Sequence, residues 1–261
     1  MSLLEAIALG LVQGITEFIP VSSSGHLILA DKFFGGGSSF AFDALLNIGT
    51  LSALLIYFRH KLWNIALSVI NDKNWSLVIN IVISTLPAAV IGYLIADSLE
   101  TGALRSTWVV IVMLFIGGVI MVFESKFRPT DKFTPDNLTK PRALIIGFAQ
   151  ALALIPGTSR SGATILAGRF SGLSHKLSAE YSFLIAIPIL SGALLKTIIS
   201  SSSGDLFNSS QIGILVVGIT TAFIAGYLAI SIMIKYLRNH NLRAFGYYRI
   251  AMSALLLLTL L

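Results

Sequence analysis

One motif occurs twice in this chain. Gln13 to Gly35 (QGITEFIPVSSSGHLILADKFFG) and Gln150 to Gly172 (QALALIPGTSRSGATILAGRFSG) align without a gap at an offset of 137 residues. Nine aligned positions are identical, among them Gln13/Gln150, Ser22/Ser159, Ser24/Ser161 and Gly25/Gly162. Whatever local structure one copy adopts, the other must approximate. Each copy places a serine-rich break between two apolar segments, which in a membrane protein points to a site near the midplane built from discontinuous helices. The differences between the copies are chemical. The first carries Glu17, Ser23 and His26 where the second carries Leu154, Arg160 and Ala163, so one tip offers acid, base and hydroxyl groups and the other a fixed cation.

Composition decides the solvent. Hydrophobic residues make up 55% of the chain and charged residues 11%, and the mean hydropathy is +0.86, whereas a soluble domain keeps roughly a quarter of its residues charged. This excludes an ordinary cytosolic globule and implies an all-α integral membrane protein. With no cysteine, disulfides and thiolate metal sites are excluded. The N-terminal run MSLLEAIALGLVQG has no basic region ahead of it and no small-residue cleavage site, so it is expected to belong to the mature protein. The net charge of +6 sits between apolar stretches, where positive-inside orientation accounts for it and no nucleic-acid partner is needed.

Crossing a hydrocarbon core of ~30 Å takes about 20 helical residues. Six stretches qualify, at roughly 40–59, 76–98, 107–124, 177–200, 211–235 and 246–261. The two motif copies do not, because a proline-containing break (Pro20, Pro156) divides each into arms reaching only ~20 Å. Each therefore reads as a re-entrant helix-loop-helix hairpin, over about 2–35 and 142–172. Basic residues at 59–73, at 126–142 and around Lys235, Arg238, Arg243 and Arg249 mark cytoplasmic ends, leaving the loops at 97–105 and 200–210 outside. Three full spans separate the hairpins, an odd number, so the halves are inverted. The expected architecture is a single membrane domain, 1–261, with six transmembrane helices and two re-entrant hairpins in an inverted-topology repeat. Repeat 1 is 1–125, repeat 2 is 142–261, and a cytoplasmic linker occupies 125–141.

Ionisable groups at membrane depth default to function with a partner. A Glu17–Arg160 salt bridge that merely locks the hairpins together is the plain alternative. Ser22, Ser24, Ser159 and Ser161 lie at helix starts, where free N–H groups and the helix dipole favour anions, and Arg160 can grip phosphate bidentately. Gln13 and Glu17 share one helix face, as do Ser22 and His26, while Ser23 and His26 are neighbours. Either Glu17 or His26 could take the proton of the Ser23 hydroxyl, and His26 itself stays open as the attacking group. Glu17, with Gln13 as a second oxygen, suits a divalent cation, Mg²⁺ or Ca²⁺, shared with phosphate. The catalytic candidates are thus Glu17, Ser23, His26 and Arg160. The substrate-binding candidates are Gln13, Ser22, Ser24, Ser159, Ser161 and Thr164. Asp43 and Glu180, on the helices after each hairpin, are expected to receive hydrogen bonds from the hairpin backbone. His60, His175 and His240 read as solvated interface positions, and Trp63, Trp75 and Trp108 as an interfacial belt.

QGITE with PVSSSGH resembles the (E/Q)xxxE-plus-histidine signature of the undecaprenyl-diphosphate phosphatase family of the bacitracin-resistance type. PGTSRSGAT is similar to that family's PGxSRSxxT signature throughout. The resemblance covers the whole chain and implies hydrolysis of undecaprenyl diphosphate to the carrier monophosphate for cell-wall synthesis, with a divalent cation. It also implies a bacterial inner-membrane location, and the first hairpin, which by the loop charges enters from the outer face, predicts a site open to the periplasm. Carried over by position, the family's functional residues fall on Gln13, Glu17, Ser23, His26, Ser159, Arg160 and Thr164. Gln13 stands where many members have a second glutamate, which leaves Glu17 the sole acid on the first arm. The expected partners are a polyprenyl diphosphate lipid and membrane lipids, with a homodimer left open. The competing class is a secondary transporter or lipid flippase, since inverted repeats with broken helices also serve alternating access; concentration of Ser, His and Glu in one copy speaks for an enzyme.

Overall fold

Both motif copies fold as two helices meeting at a short break. In the computed structural model, which describes residues 1–34, 40–95, 106–127, 131–200 and 212–258, the first copy forms α1 (Leu3–Phe18) and α2 (Ser23–Phe33). The second forms α8 (Lys140–Leu152) and α9 (Arg160–Phe170). A capping box between Ser2 and Glu5 starts α1, satisfying two otherwise orphaned donors. Between the hairpins run α3 (Phe40–Leu45), α4 (Asn47–Tyr57), α5 (Arg59–Asn71), α6 (Ser76–Leu94) and α7 (Thr107–Phe123), the last continued by a 3₁₀ turn, Glu124–Phe127. After the second hairpin come α10 (His175–Ser200), α11 (Ile212–Tyr236) and α12 (Arg243–Leu258). The described residues are helical apart from turns, loops and one isolated bridge, Phe133–Leu173.

Each hairpin's first arm is seated on a helix from the other half of the chain. α1 packs most extensively on α11, and α8 on α6. Small residues permit the approach. A Cβ on Gly10 would lie 2.5 Å from the Gly218 carbonyl oxygen and 3.0 Å from the Thr221 Cβ; one on Gly147, aligned with Gly10, would lie 3.0 Å from the Ser84 carbonyl oxygen. Positions 84 and 221 are themselves 137 apart, so the two seats correspond. α7 and α12 pack on each other where Gly118 and Gly246 face, a Cβ on either coming within 2.9 Å of the other's carbonyl oxygen. Beneath the tips lies an apolar core that includes Phe18, Phe58, Phe183, Ile165 and Ile230, with Phe18 edge-on to Phe183 at 5.4 Å between centroids.

Among the described residues three helices are long and apolar enough to cross a membrane: Ser76–Leu94, His175–Ile199 and Ile212–Tyr236. A fourth span results if Phe42–Tyr57 and Arg59–Asn71, bent by 64°, are counted as one; Thr107–Phe123 is apolar but shorter. The stretch expected as one straight span at 40–59 is instead two helices broken at Leu46, followed by the bend at Phe58. The following connection, expected as a charged loop, is largely helix α5, which buries no residue and leaves Trp63 and Ile70 exposed. Its apolar residues recur at helical spacing, which the basic residues beside them masked. The outer loops expected at 97–105 and 201–210 lie outside the described residues.

Three expectations for polar residues are corrected. Glu180 accepts from Lys61 Nζ at 2.6 Å and pairs with Lys176 at 3.3 Å, so a lysine of α5, not hairpin backbone, takes its charge. His175 is not a solvated position: its Nε2 lies 3.1 Å from Glu124, whose carboxylate also receives Arg169 Nε at 2.9 Å. Arg249, assigned above to the cytoplasmic loop charges, is fully buried. His60 and the three tryptophans are exposed, as expected of interfacial positions, and His240 stacks on Tyr236.

Candidate active site

The two tips meet. α2 and α9 each begin at a serine whose hydroxyl accepts from the amide three residues on: Ser22 Oγ from Gly25 at 3.4 Å, and Ser159 Oγ from Gly162 at 3.1 Å. In each tip the capping hydroxyl lies 3.3 Å from the serine two residues later, Ser24 or Ser161. Both caps stand at positive φ, 77° for Ser22 and 69° for Ser159, a region in which L side chains cost free energy and which clusters at functional sites. The tips are joined directly, for the Gly157 amide donates to Ser24 Oγ at 3.4 Å and Ser161 Oγ to the Ile19 carbonyl at 3.4 Å.

Across this junction stands one ion pair. Arg160 Nη2 donates to Glu17 Oε1 at 2.8 Å, and both side chains are mostly buried. The other carboxylate oxygen, Oε2, accepts from Ser23 Oγ at 2.7 Å and from Gln13 Nε2 at 3.3 Å. Gln13 Nε2 also donates to Asn47 Oδ1 at 2.8 Å, which places Asn47, at the break before α4, behind the acid. Arg160 Nη1 reaches the Ser182 carbonyl at 3.2 Å. Thr164 Oγ1 donates to the Arg160 carbonyl at 2.8 Å and lies 2.6 Å from Ser182 Oγ, so it braces the turn carrying the guanidinium. Gln13, Ser22, Ser159, Ser161 and Thr164 are buried, Ser23 is half-buried and Ser24 is exposed.

Geometry separates the two candidate nucleophiles. The hydroxyl of Ser23 already points its proton at a carboxylate, as an activated nucleophile requires. His26 is turned elsewhere: its Nδ1 lies 2.8 Å from the Ser22 carbonyl and its Nε2 2.7 Å from Tyr248 Oη. Since a carbonyl only accepts, Nδ1 carries the proton and Nε2 accepts from the tyrosine. No hydrogen bond among the described residues joins His26 to Glu17, Ser23 or Arg160. Tyr248 and Asn47 carry no local sequence signal, because each meets the motif across a long chain separation.

The same place holds buried polar atoms without a partner among the described residues: Gln13 Oε1, Thr158 Oγ1 and Arg160 Nε. Buried polar groups are nearly always satisfied, so these three atoms retain hydrogen-bonding capacity at the tips. Gln13 turns its Nε2 to the Glu17 carboxylate, and the two residues offer hard oxygens of the kind Mg²⁺ or Ca²⁺ takes. The described residues contain no group of three His, Cys, Asp or Glu side chains able to cage a metal by themselves.

Comparison with known proteins places this arrangement. The model of the family described as bacitracin resistance protein BacA matches residues 6–255. The chain is 37% identical over 260 residues to undecaprenyl-diphosphatase 1 of Stutzerimonas stutzeri, an alignment covering 98% of this chain and 93% of that protein. It is 39% identical over 277 residues to undecaprenyl-diphosphatase of Rubrobacter xylanophilus, covering 100% and 99%, and 36% identical over 268 residues to that of Corynebacterium glutamicum, covering 98% and 90%. On the match along nearly its whole length and on these relatives, the chain belongs to the bacitracin resistance protein BacA family.

Proposed function

We propose that the protein hydrolyses undecaprenyl diphosphate to undecaprenyl phosphate and inorganic phosphate in the bacterial inner membrane. The observation that carries this reading is the junction of Ser23, Glu17 and Arg160 beside unpartnered polar atoms, in a chain whose full-length relatives are undecaprenyl-diphosphatases. In this reading the chain crosses the membrane six times, α1–α2 and α8–α9 are re-entrant hairpins entering from opposite faces, and the site opens to the periplasm. The reciprocal seating of α1 on α11 and α8 on α6 supports the inverted arrangement.

Mechanism follows from the contacts. An incoming diphosphate competes with Glu17 for the guanidinium of Arg160, which grips phosphate in the bidentate fashion open to its planar fork. The amides that begin α2 and α9 supply further donors at the positive ends of two helix dipoles. Release of Arg160 leaves the Glu17 carboxylate with Ser23, whose proton it takes at Oε2. Ser23 Oγ then bonds to the terminal phosphorus, and the bond from that phosphorus to the bridging oxygen breaks, releasing undecaprenyl phosphate. Glu17 gives that proton to the departing undecaprenyl phosphate; the freed carboxylate then deprotonates water, which cleaves the phosphoserine, and the proton returns to Ser23 Oγ as phosphate leaves. A divalent cation held by Glu17, Gln13 Oε1 and phosphate oxygens would supply electrostatic stabilisation of the transferred group. Ser22, Ser159, Ser161 and Thr164 hold the tips, and Ser24 is exposed beside them. His26, oriented by Tyr248, is not the base for Ser23. Concentration of the reactive groups in one tip favours hydrolysis over transport, for which a symmetric site would serve.

The test is phosphate release by the purified protein in detergent from a C55 prenyl diphosphate, with and without chelator. Release that depends on Glu17 and Arg160 is expected. Absence of release, with lipid flux into sealed vesicles instead, would replace the hydrolase reading with transport.

A further inference from the structure

Arg249 lies on α12, outside both motif copies, and is fully buried. All five of its N–H groups are used, and all go to backbone carbonyls. Nε donates to Leu114 at 3.3 Å, Nη1 to Pro20 at 3.4 Å and Thr158 at 3.0 Å, and Nη2 to Met113 at 2.9 Å and Gly157 at 3.0 Å. Pro20 belongs to the first tip, Gly157 and Thr158 to the second, and Met113 and Leu114 to α7. No carboxylate among the described residues pairs with it. A buried cation is costly, and if packing alone were needed an apolar side chain of similar volume would serve as well or better.

We infer that Arg249 is a positioning residue for the phosphate site, holding both serine-capped tips in register through their carbonyls. This rests on the hydrolase reading above. The carbonyls it holds lie one or two residues before the strained caps: Pro20 precedes Ser22 by two residues, and Thr158 directly precedes Ser159. In a planar trans peptide the carbonyl and the following N–H point opposite ways. Anchoring the Thr158 oxygen on the guanidinium therefore turns the Ser159 amide away from it and fixes the peptide plane from which Arg160 starts. One planar group thus sets the distance between the Ser23–Glu17 side and the Arg160 side. α7 makes room for it at Gly117, where a Cβ would lie 2.4 Å from Nη2 and 2.8 Å from Cζ.

Two variants test this from opposite sides. Arg249→Lys keeps the charge but offers three donors on a compact head in place of a five-donor plane. Gly117→Ala leaves Arg249 in the chain and favours helix, yet pushes the guanidinium off its carbonyls. Both are expected to lower kcat for C55 diphosphate by about 100-fold, the scale of a misplacement near 1 Å, with KM changed far less. Thermal melting in the same detergent gives the folded fraction by which kcat is normalised. Failure of the wild type to release phosphate would remove the hydrolase reading itself. An active wild type with both variants near its kcat per folded molecule would overturn the role of Arg249, as would a rise in KM at constant kcat.

Discussion

Removing one half of the Glu17–Arg160 pair should damage the fold more than removing both, while either change stops turnover. At 2.8 Å, with side chains 12% and 9% exposed, an effective dielectric constant of about 20 gives an attraction of roughly 6 kcal/mol. Withdrawing two ions from water costs several kcal/mol each, so the pair is close to neutral for stability. Breaking it is not, because an uncompensated charge stays behind at a cost of about 3–5 kcal/mol. Glu17→Gln leaves the Arg160 charge with neutral acceptors alone, the Gln amide oxygen and the Ser182 carbonyl, and Arg160→Met leaves the carboxylate with Ser23 and Gln13. At about 2–4 °C per kcal/mol for a chain of this size, each single variant should lower Tm by on the order of 10 °C. The double variant Glu17→Gln/Arg160→Met should recover most of that loss and remain inactive. Differential scanning fluorimetry and phosphate release, on the same detergent-purified samples, read the two quantities separately. Additive losses of Tm in the double variant would refute the argument that the pair is a charge-compensation unit. Turnover near wild type in either single variant would remove that residue from the chemistry.

Three further outcomes are expected. Ser23→Ala should lose about 10³-fold or more in kcat, as removal of an attacking group does, and His26→Gln should lose less; the reverse order in steady-state kinetics would move the attack to His26. Gly49→Val should lower stability by about 1–3 kcal/mol through overpacking, because even a Cβ there would lie 2.3 Å from the Ile219 carbonyl oxygen, and an unchanged Tm would refute that contact. Burial penalises the Glu124 charge, but hydrogen bonds from His175 and Arg169 outweigh it and hold the carboxyl below its ordinary value of 4.5. Its contribution is therefore complete above that value and lost as pH falls through the lower folded pKa, so Glu124→Gln should flatten the acid limb of Tm against pH.

Much of the site could be read from the gapless repeat. Two copies of a serine cap before Gly25 and Gly162 announced two helix starts, and the exchange of Ser23 for Arg160 announced tips of different chemistry; both helix starts and the Glu17–Arg160 contact stand in the structure. What stayed hidden depends on distant partners. Arg249 sits in a sequence neighbourhood of Lys235, Arg238 and Arg243, where positive charge ordinarily marks a membrane face, and nothing local says that five carbonyls from three other segments surround it. His175 is likewise uninformative without Glu124, 51 residues earlier. His26 was read as a neighbour of Ser23 by helical spacing, and the spacing is right, yet Tyr248, 222 residues away, turns the ring elsewhere. Spacing gives the face of a helix but not what competes for a side chain upon it.

The crossed seating of the hairpins bears on how the chain is made. α1 leaves the ribosome before α11, whose groove it occupies, some two hundred residues later. Gly10 and Gly14 lack that cover until the groove is synthesised. By the same logic, the protein severed between the 3₁₀ turn after α7 and the start of α8 would yield two fragments, each lacking the cradle for its own first arm. They should become competent only when produced together.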